Sequence, residues 1–565
     1  MTAIRTVAPV APPVAPAPPA DPAEVDVVLL GAGNATRLSP LTAPRGKLLV
    51  PFDGRPLLAY QLTTLIRAGY RRFCVVVAPC TRPKSEEVLE AAFELADVTV
   101  AVAVQEEPLG PGHALAVAAT SGAIGERPVL TLLADTLVEP VSEGGSWVAV
   151  ARPPAARRWA VVEHTADGTV LDVRDELAAP GEDVVVAVGM YRFDDPELLV
   201  EVCERQLERL EWNGDELELS AVLAAYGSAR PLRARSVSSW QDCGDLESLR
   251  SARRLRLPGR AFNRLVLVEP GVVRKESVLP GIQAEARFLR DLEGPRAQLF
   301  PRVLDVGHDC YWYELEYVDL PTLAELYLFT KASVSFWEHT LATLLATLRD
   351  RLWRCDEAPS RAEVVARARR MYVGKLEERF ELWTRQSALA RHDELLVNGR
   401  RRRAGAPCVR ALAERLDDVS ERVVPGIVHG DLHFSNVLLS LTTGAFKLLD
   451  PRGDFGGEGP LGDVRYELAK LRHSYAGCYD AVVRDLFVAT RESSRSLRFE
   501  VGTKRATTAA ALDAVLSASG ADLDDVRAIE ASLYLSMIPL HDDDPDRQRV
   551  LYALGLEATN ALLYD

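Results

Sequence analysis

Residues 24–30, "EVDVVLL", make an apolar run of strand length that ends directly in the glycine-rich stretch "GAGNATR". A strand with so little polar alternation has to be covered on both faces, and its entry into a glycine turn is how α/β units with a parallel sheet begin. Strand-like runs then alternate with helical stretches: "RRFCVVVAP", "VTVAVAVQ", "RPVLTLLADT", "WVAVARP" and "DVVVAVGMYRF". The pattern reaches "SSWQDCGDLESLRSARRLRL", a final loop and closing helix, and breaks at "LPGR" (257–260). Beyond it lie a hairpin-like stretch, "FNRLVLVEPGVVRKES", and helical segments from about residue 320.

At 565 residues the chain exceeds one core, and about 150 residues per domain gives three or four domain-sized units. The texture assigns 1–24 to a disordered Pro/Ala-rich tail, 25–256 to an α/β domain and 257–565 to a second domain. In the tail, "TVAPVAPPVAPAPPADPAE", repeated prolines favour extended, solvated chain and would break a signal-peptide helix. A formal charge of −15, from 66 basic and 81 acidic side chains, excludes nucleic acid or an anionic membrane as the main partner. Eight scattered cysteines without a CxxC pair, and no apolar run of about 18 residues, lead us to expect a cytoplasmic protein without structural zinc.

The first glycine loop is not a dinucleotide fingerprint, because Thr36 occupies the third glycine position. "PRGKLL" is not a Walker A loop, since Leu48 stands where a hydroxyl would meet magnesium. The longer stretch "LLGAGNATRLSPLTAPRGKLLVPFDGRPLLAYQL" closely resembles the opening of the sugar-phosphate nucleotidylyltransferases. That chemistry brings two anions together, so it requires backbone N–H groups, cations and metal where charge accumulates.

The resemblance implies that Gly31, Ala32 and Gly33 admit the nucleotide, that Arg37 holds the triphosphate, and that Lys47 sits at the reacting phosphates. It makes Gln105 and Gly110 of "QEEPLGPGHAL" base contacts, and Asp135 of "LLADT" and Asp242 of "WQDCGD" magnesium ligands. Single aspartates at such places are more often caps or turn residues; two in this order suit a hard-oxygen magnesium site. The acceptor half departs from the family: Glu176 in "DELAAP" lacks its lysine, and "WAV" at Trp159 replaces a Tyr-Gly pair. Ala35 also replaces a loop glycine. The expected acceptor is therefore not an ordinary hexose 1-phosphate.

Near residue 430, "HGDLHFSN" places Asn436 five residues after Asp431, the spacing of the protein-kinase catalytic loop, and Asp450 follows a hairpin turning at residues 442–445. In that chemistry Asp431 takes or orients the hydroxyl proton, while Asn436 and Asp450 hold magnesium against ATP. His-Gly-Asp and Asp-Pro-Arg resemble the aminoglycoside phosphotransferase and choline kinase superfamily of small-molecule kinases. The resemblance implies a Lys275–Glu285 pair on the ATP phosphates, "YWYELEYVD" as a link between lobes, and Asp463 supporting the catalytic loop. With no Gly-rich loop in sight, "GRAFNRLVL" would take that place.

The implied fold is a Rossmann-like nucleotidyltransferase domain with a mixed, mostly parallel sheet, followed by a bilobal α+β kinase-like domain. The implied function is a bifunctional transferase with Mg2+ at both sites, using ATP and a second NTP. It would phosphorylate a sugar, polyol or amino alcohol and then couple the ester to NMP, yielding an activated building block for surface polysaccharide or secondary metabolism. An antibiotic-modifying phosphotransferase and a nucleotide-sensing protein with one inactive domain are the alternatives.

Overall fold

The computed structural model describes residues 21–33, 47–52, 55–93, 97–139, 141, 143–153, 157–178, 184–213, 216–237, 239–245, 248–249, 252, 263–269, 271–279, 281–355, 360–457, 459–502 and 505–565. Arg37, Ala35, "LPGR", residues 1–20 of the tail and the start of "GRAFNRLVL" fall outside them. Residues of the tail that are described, Pro22–Glu24, form one helical turn capped by the Asp21 carboxylate rather than extended chain. The chain divides into two compact units, Met1–Leu255 and Arg256–Asp565.

In the first unit, β1 (Asp26–Leu30) is buried along its whole length, as an unalternating apolar strand must be. It lies parallel to β2 (Arg72–Val77), which in turn pairs with β3 (Thr99–Val104), and on its other side to β4 (Val129–Leu133). β5 (Arg157–His164) and β6 (Val170–Ala178) form an antiparallel hairpin, and β7 (Val185–Phe193) joins it to β4. The order is β6-β5-β7-β4-β1-β2-β3, and Trp147–Ala151 with Arg233–Ser236 completes a nine-stranded sheet among the described residues. Every pairing made by β7 and β5 is antiparallel, so the sheet is evenly mixed rather than mostly parallel. The hairpin and β7 need no helical crossover, which is what a parallel connection would demand.

Beside this sheet the short strands Thr136–Val138 and Trp240–Asp242 pair antiparallel, with Asp242 opposite Thr136. That pairing brings residues more than a hundred positions apart to the end of β4.

The second unit opens on an antiparallel four-stranded sheet: β8 (Asn263–Glu269), β9 (Val272–Ser277), β10 (Val303–Val306) and β11 (Trp312–Glu316), in the order β8-β9-β11-β10. The helix α1 (Gly281–Arg290) follows β9 and buries Glu285 among apolar residues. Helices dominate thereafter, including α2 (Lys375–Gln386) and α3 (Val464–Tyr475). Val437–Leu439 and Phe446–Leu448 form the hairpin ahead of Asp450. A second four-stranded sheet, built from Glu394–Val397, Arg400–Arg403, Phe487–Ser493 and Ser496–Val501, has no counterpart in the sequence reading. No helix among the described residues is long and apolar enough to cross a membrane.

Candidate functional sites

In the first unit the chain leaves β1 at Gly31, whose N–H donates to the Val76 carbonyl at 2.9 Å. A Cβ at Gly31 would lie 2.3 Å from the Leu48 side chain. Only glycine lets Leu48 close over the strand end, and that closure sets the short helical turn Lys47–Leu49 in place. From there the Lys47 ammonium pairs with the Asp135 carboxylate, both side chains being largely buried.

Asp135 and Asp242 converge. The Asp135 carbonyl accepts from Cys243 N at 2.7 Å, and Asp242 Oδ1 accepts from Gly244 N at 2.9 Å. A Cβ on Gly244 would stand 2.7 Å from Asp135 Oδ2 and 3.0 Å from Asp242 Oδ1. Gly244 therefore keeps open the space in which the two carboxylates meet. Among the described residues Asp135 Oδ1 is buried and has no hydrogen-bond partner, a state that calls for a cation or a donor. Two hard oxygen donors of this kind fit Mg2+, which takes one or two carboxylates and completes its shell with phosphate and water. Among the described residues no group of three or more His, Cys, Asp or Glu gathers as a self-sufficient metal site.

The other positions expected of this unit are placed as follows. Gln105 is buried, and its Nε2 donates to the Gly110 carbonyl at 3.1 Å and reaches His113 Nδ1 at 2.8 Å. It braces the turn entering the helix Pro111–Thr120. Gly110 has φ +94°, and a Cβ there would strike the Leu217 carbonyl at 2.6 Å, so the turn demands glycine. Ala32 is buried and Gly33 is exposed beyond β1. Glu176 lies exposed on β6, opposite Trp159 on β5, and pairs with Arg174 at 2.9 Å. Trp159 packs edge-on against Trp240, with ring centroids 5.2 Å apart.

Residues 26–257 match the family model described as nucleotidyl transferase. The N-terminal unit is a nucleotidyltransferase domain. Among curated proteins, a glucose-1-phosphate thymidylyltransferase of Mycolicibacterium smegmatis is 28% identical over 245 residues, covering 40% of this chain and 80% of that one. The corresponding enzyme of Streptomyces griseus is 27% identical over 301 residues, covering 48% and 81%. Of solved structures, the CTP:phosphocholine cytidylyltransferase of Streptococcus pneumoniae aligns at 16% identity and a TM-score of 0.33, covering 41% of this chain and 98% of that one.

In the second unit, Lys275 Nζ contacts Glu285 at 2.8 and 2.9 Å and Asp450 Oδ1 at 3.2 Å. Burial opposes the ammonium charge, but Asp450 and Glu285 prevail and raise its pKa. Burial pushes the Glu285 carboxyl up to about 7 despite the lysine, and the Tyr313 hydroxyl donates to it at 2.6 Å. The lysine stays charged, shared between two carboxylates that set three oxygens around its ammonium. Asp450 adopts φ +54°, a left-handed conformation uncommon for a non-glycine residue. Gly453 follows in the same turn, where a Cβ would meet the Ala284 carbonyl of α1 at 2.1 Å.

Asp431 accepts from Lys470 Nζ at 2.7 Å, and Asn436 Nδ2 donates to the Asp431 carbonyl at 2.8 Å. Burial works against the Asp431 charge, but Lys470 and then His433 hold its carboxyl well below the usual range. His429 Nδ1 accepts the Asp431 N–H at 3.2 Å, so its Nε2 carries the proton and donates to the Leu449 carbonyl at 2.8 Å. Burial lowers this imidazole to about 4, and it stays neutral as a tie between residue 431 and the strand end before Asp450.

Two members of the site escaped the sequence reading. Glu467 accepts from His429 N at 2.8 Å and Gly430 N at 3.0 Å, so it supports the loop directly. The role expected for Asp463 belongs to Glu467. Asp463 instead accepts from Val424 N at 3.0 Å, from Tyr372 and from Arg465, bracing the strand that leads to the loop. Lys470, one turn beyond Glu467 on α3, is the other. Both project from one face of a helix because residues three apart are neighbours there.

Proposed function

We propose that the chain is a bifunctional transferase. The C-terminal unit phosphorylates a hydroxyl of a small metabolite with ATP, and the N-terminal unit then joins the phosphate ester to a nucleotide from an NTP, releasing pyrophosphate. The acceptor class of the second step is a sugar phosphate or related ester, as the names of the thymidylyltransferase relatives suggest. The product would serve as an activated building block for polysaccharide or secondary metabolism.

The observation that carries the first step is the Lys275–Glu285–Asp450 cluster in the same unit as Asp431 and Asn436. Lys275 would neutralise ATP phosphates, and Asp431, held as a carboxylate, would take the hydroxyl proton. Asn436 and Asp450 supply hard oxygens that suit Mg2+, which would neutralise charge developing on the phosphates. In the N-terminal unit Asp135 and Asp242 would hold the metal, which would supply positive charge at the phosphates, and Lys47 would serve the reacting phosphates. Arg37 would hold the triphosphate, while Gln105 and Gly110 would shape the base pocket. Glu176, with Trp159 opposite, would line the acceptor side.

The test is purified full-length chain with Mg2+ and ATP, plus each of CTP, UTP, GTP and dTTP, against sugars, polyols and amino alcohols, read by mass spectrometry. A nucleotide-linked product that needs both ATP and a second NTP supports the proposal. Nucleotide transfer to a supplied ester with no ATP-dependent phosphorylation of any acceptor would remove the first step.

A further inference from the structure

Past the end of α3 the chain turns back onto the loop that carries Asp431. It turns at Gly477, where a Cβ would strike Tyr534 Oη at 1.7 Å, and at Cys478, whose φ of +58° is left-handed. The reversal brings the short helix Tyr479–Val482 against His433, with the Tyr479 and His433 rings edge-on at 5.6 Å. One carboxylate then stands at each nitrogen of the His433 ring. Nε2 lies 3.7 Å from Asp431 Oδ2, and Nδ1 lies 3.7 Å from Asp480 Oδ1. Side-chain exposure falls from 29% at Asp431 to 14% at His433 and 3% at Asp480, so the row runs inward from the proposed proton acceptor.

The donors around Asp480 gather on one of its oxygens. Ser435 Oγ donates to Asp480 Oδ1, and Arg484 Nη1 approaches the same atom at 3.4 Å while its Nη2 donates to Ser435 Oγ at 2.9 Å. Asp480 Oδ2 is buried with no hydrogen-bond partner among the described residues, and so is His433 Nδ1. A buried carboxylate oxygen in that state calls for a donor. A hydroxyl can donate to the carboxylate and accept from an Nδ1–H, whereas an ammonium can only donate.

We propose that Asp431 and Asp480 form a clamp on neighbouring hydroxyls of the acceptor, Asp431 taking the one that is phosphorylated and Asp480 Oδ2 the next. The compound phosphorylated by this unit is thereby a sugar or polyol rather than an amino alcohol. This rests on the kinase reading of the unit. The hydroxyl oxygen at Asp431 attacks the γ-phosphorus of ATP, its proton passes to the Asp431 carboxylate, and the bond from phosphorus to the departing ADP oxygen breaks. Asp480 takes part only by holding the second hydroxyl. A single imidazole separates the carboxylates, a gap that two adjacent hydroxyls span when each donates outward.

The test compares acceptors that differ by one hydroxyl. Full-length protein with Mg2+ and ATP is given glycerol, myo-inositol, D-ribose and D-mannose, each beside its monodeoxy analogues, and separately ethanolamine and choline, with KM and kcat read from the phosphorylated product by mass spectrometry. At least one polyhydroxylated acceptor should be turned over, and removing the hydroxyl beside the phosphorylated one should raise KM about tenfold or more. Asp480→Asn should raise KM for the parent acceptor by a similar factor and leave KM for ATP unchanged. It should also leave the deoxy analogue as it was, because the contact it breaks is already missing there. Should Asp480→Asn not fold, Ser435→Ala, which removes the donor that orients Asp480, should show the same pattern in weaker form. The proposal is overturned if ethanolamine or choline is turned over and no polyol is, or if the deoxy analogue matches its parent. It is overturned equally if Asp480→Asn slows parent and analogue alike, as a packing role would, or if no acceptor of the panel is turned over. The kinase reading is judged by calorimetry with a non-hydrolysable ATP analogue: binding that Lys275→Met weakens preserves that reading whatever becomes of the clamp, and absence of binding removes it.

Discussion

Each unit sets a lysine against an aspartate that follows a buried strand, yet the two sites balance their charges differently. Among the described residues of the N-terminal unit Lys47 meets the Asp135 carboxylate, while the other oxygen of Asp135 is buried with no hydrogen-bond partner. In the C-terminal unit Lys275 is shared by two acids, Asp431 is held by Lys470, and Glu467 takes both N–H groups at the turn before it. A charge with an internal partner keeps its geometry without ligand; one without waits for metal or substrate to supply it. The C-terminal constellation is therefore preorganised, whereas the N-terminal one leaves a carboxylate oxygen for a ligand to complete.

The sharpest way to break that contrast is Asp431→Asn. In the proposed kinase reaction Asp431 takes the hydroxyl proton, so ATP-dependent phosphorylation should fall about a thousandfold or more. Nucleotide transfer to a supplied phosphate ester should continue at the wild-type rate. Both are read by coupled assays on the same preparation, and joint loss would mean that the two units do not act separately.

Lys47→Ala strikes the other side. In the role proposed for Lys47 at the reacting phosphates, its loss should slow pyrophosphate release about a hundredfold, while the phosphorylated intermediate accumulates. A variant that still makes nucleotide-linked product at full rate would reduce the Gly31–Lys47 arrangement to a packing feature.

Gly244→Ala probes the open geometry more gently. Its Cβ would press between Asp135 and Asp242, so the carboxylates must part. We expect roughly a tenfold loss of nucleotide transfer and a higher Mg2+ requirement, with a cost of about 1–3 kcal/mol to the N-terminal unit. Magnesium titration of pyrophosphate release checks it; an unchanged Mg2+ dependence would remove this pair as the metal site.

The two units also differ in how legible they were. The unbroken apolar run of β1 and the glycine after it announce a buried strand and a close approach, because those constraints are local to a few residues. Asp135 and Asp242 were readable by their order along the chain, although only the pairing of Thr136–Val138 with Trp240–Asp242 explains why they meet. Glu467 and Lys470 were missed for the opposite reason. A helix reading "VRYELAKLRHSY" looks charged and surface-bound, but every residue of it except Arg472 is buried. The partners of those charges lie more than thirty positions earlier, on another element. The second sheet hid likewise: "RRRR" at Arg400–Arg403 suggests solvent, yet Arg402 is buried against Glu557 and Asp565.

The smallest predicted effect separates the internal partners of the preorganised site by pH. Glu467, buried, rises from the ordinary 4.5 to about 7 in the folded chain. Between those values the folded state keeps a proton that the unfolded state has lost, so its contribution to stability falls as pH rises. His429, lowered by burial from 6.5 to about 4, does the reverse. Between about 4 and 6.5 the unfolded state binds the extra proton, and stability rises with pH. Each slope approaches 1.4 kcal/mol per pH unit, and over the shared window from 4.5 to 6.5 the two oppose one another. Glu467→Gln removes only the first, so the C-terminal unit of that variant should gain stability relative to wild type as pH climbs from 5 to 6.5, on the order of 1 kcal/mol. The amide keeps one acceptor for the two N–H groups, and phosphorylation should weaken only severalfold. Denaturant unfolding of wild type and variant at matched pH values measures the difference, and parallel stability curves would show that Glu467 is not the buried, proton-retaining group described here.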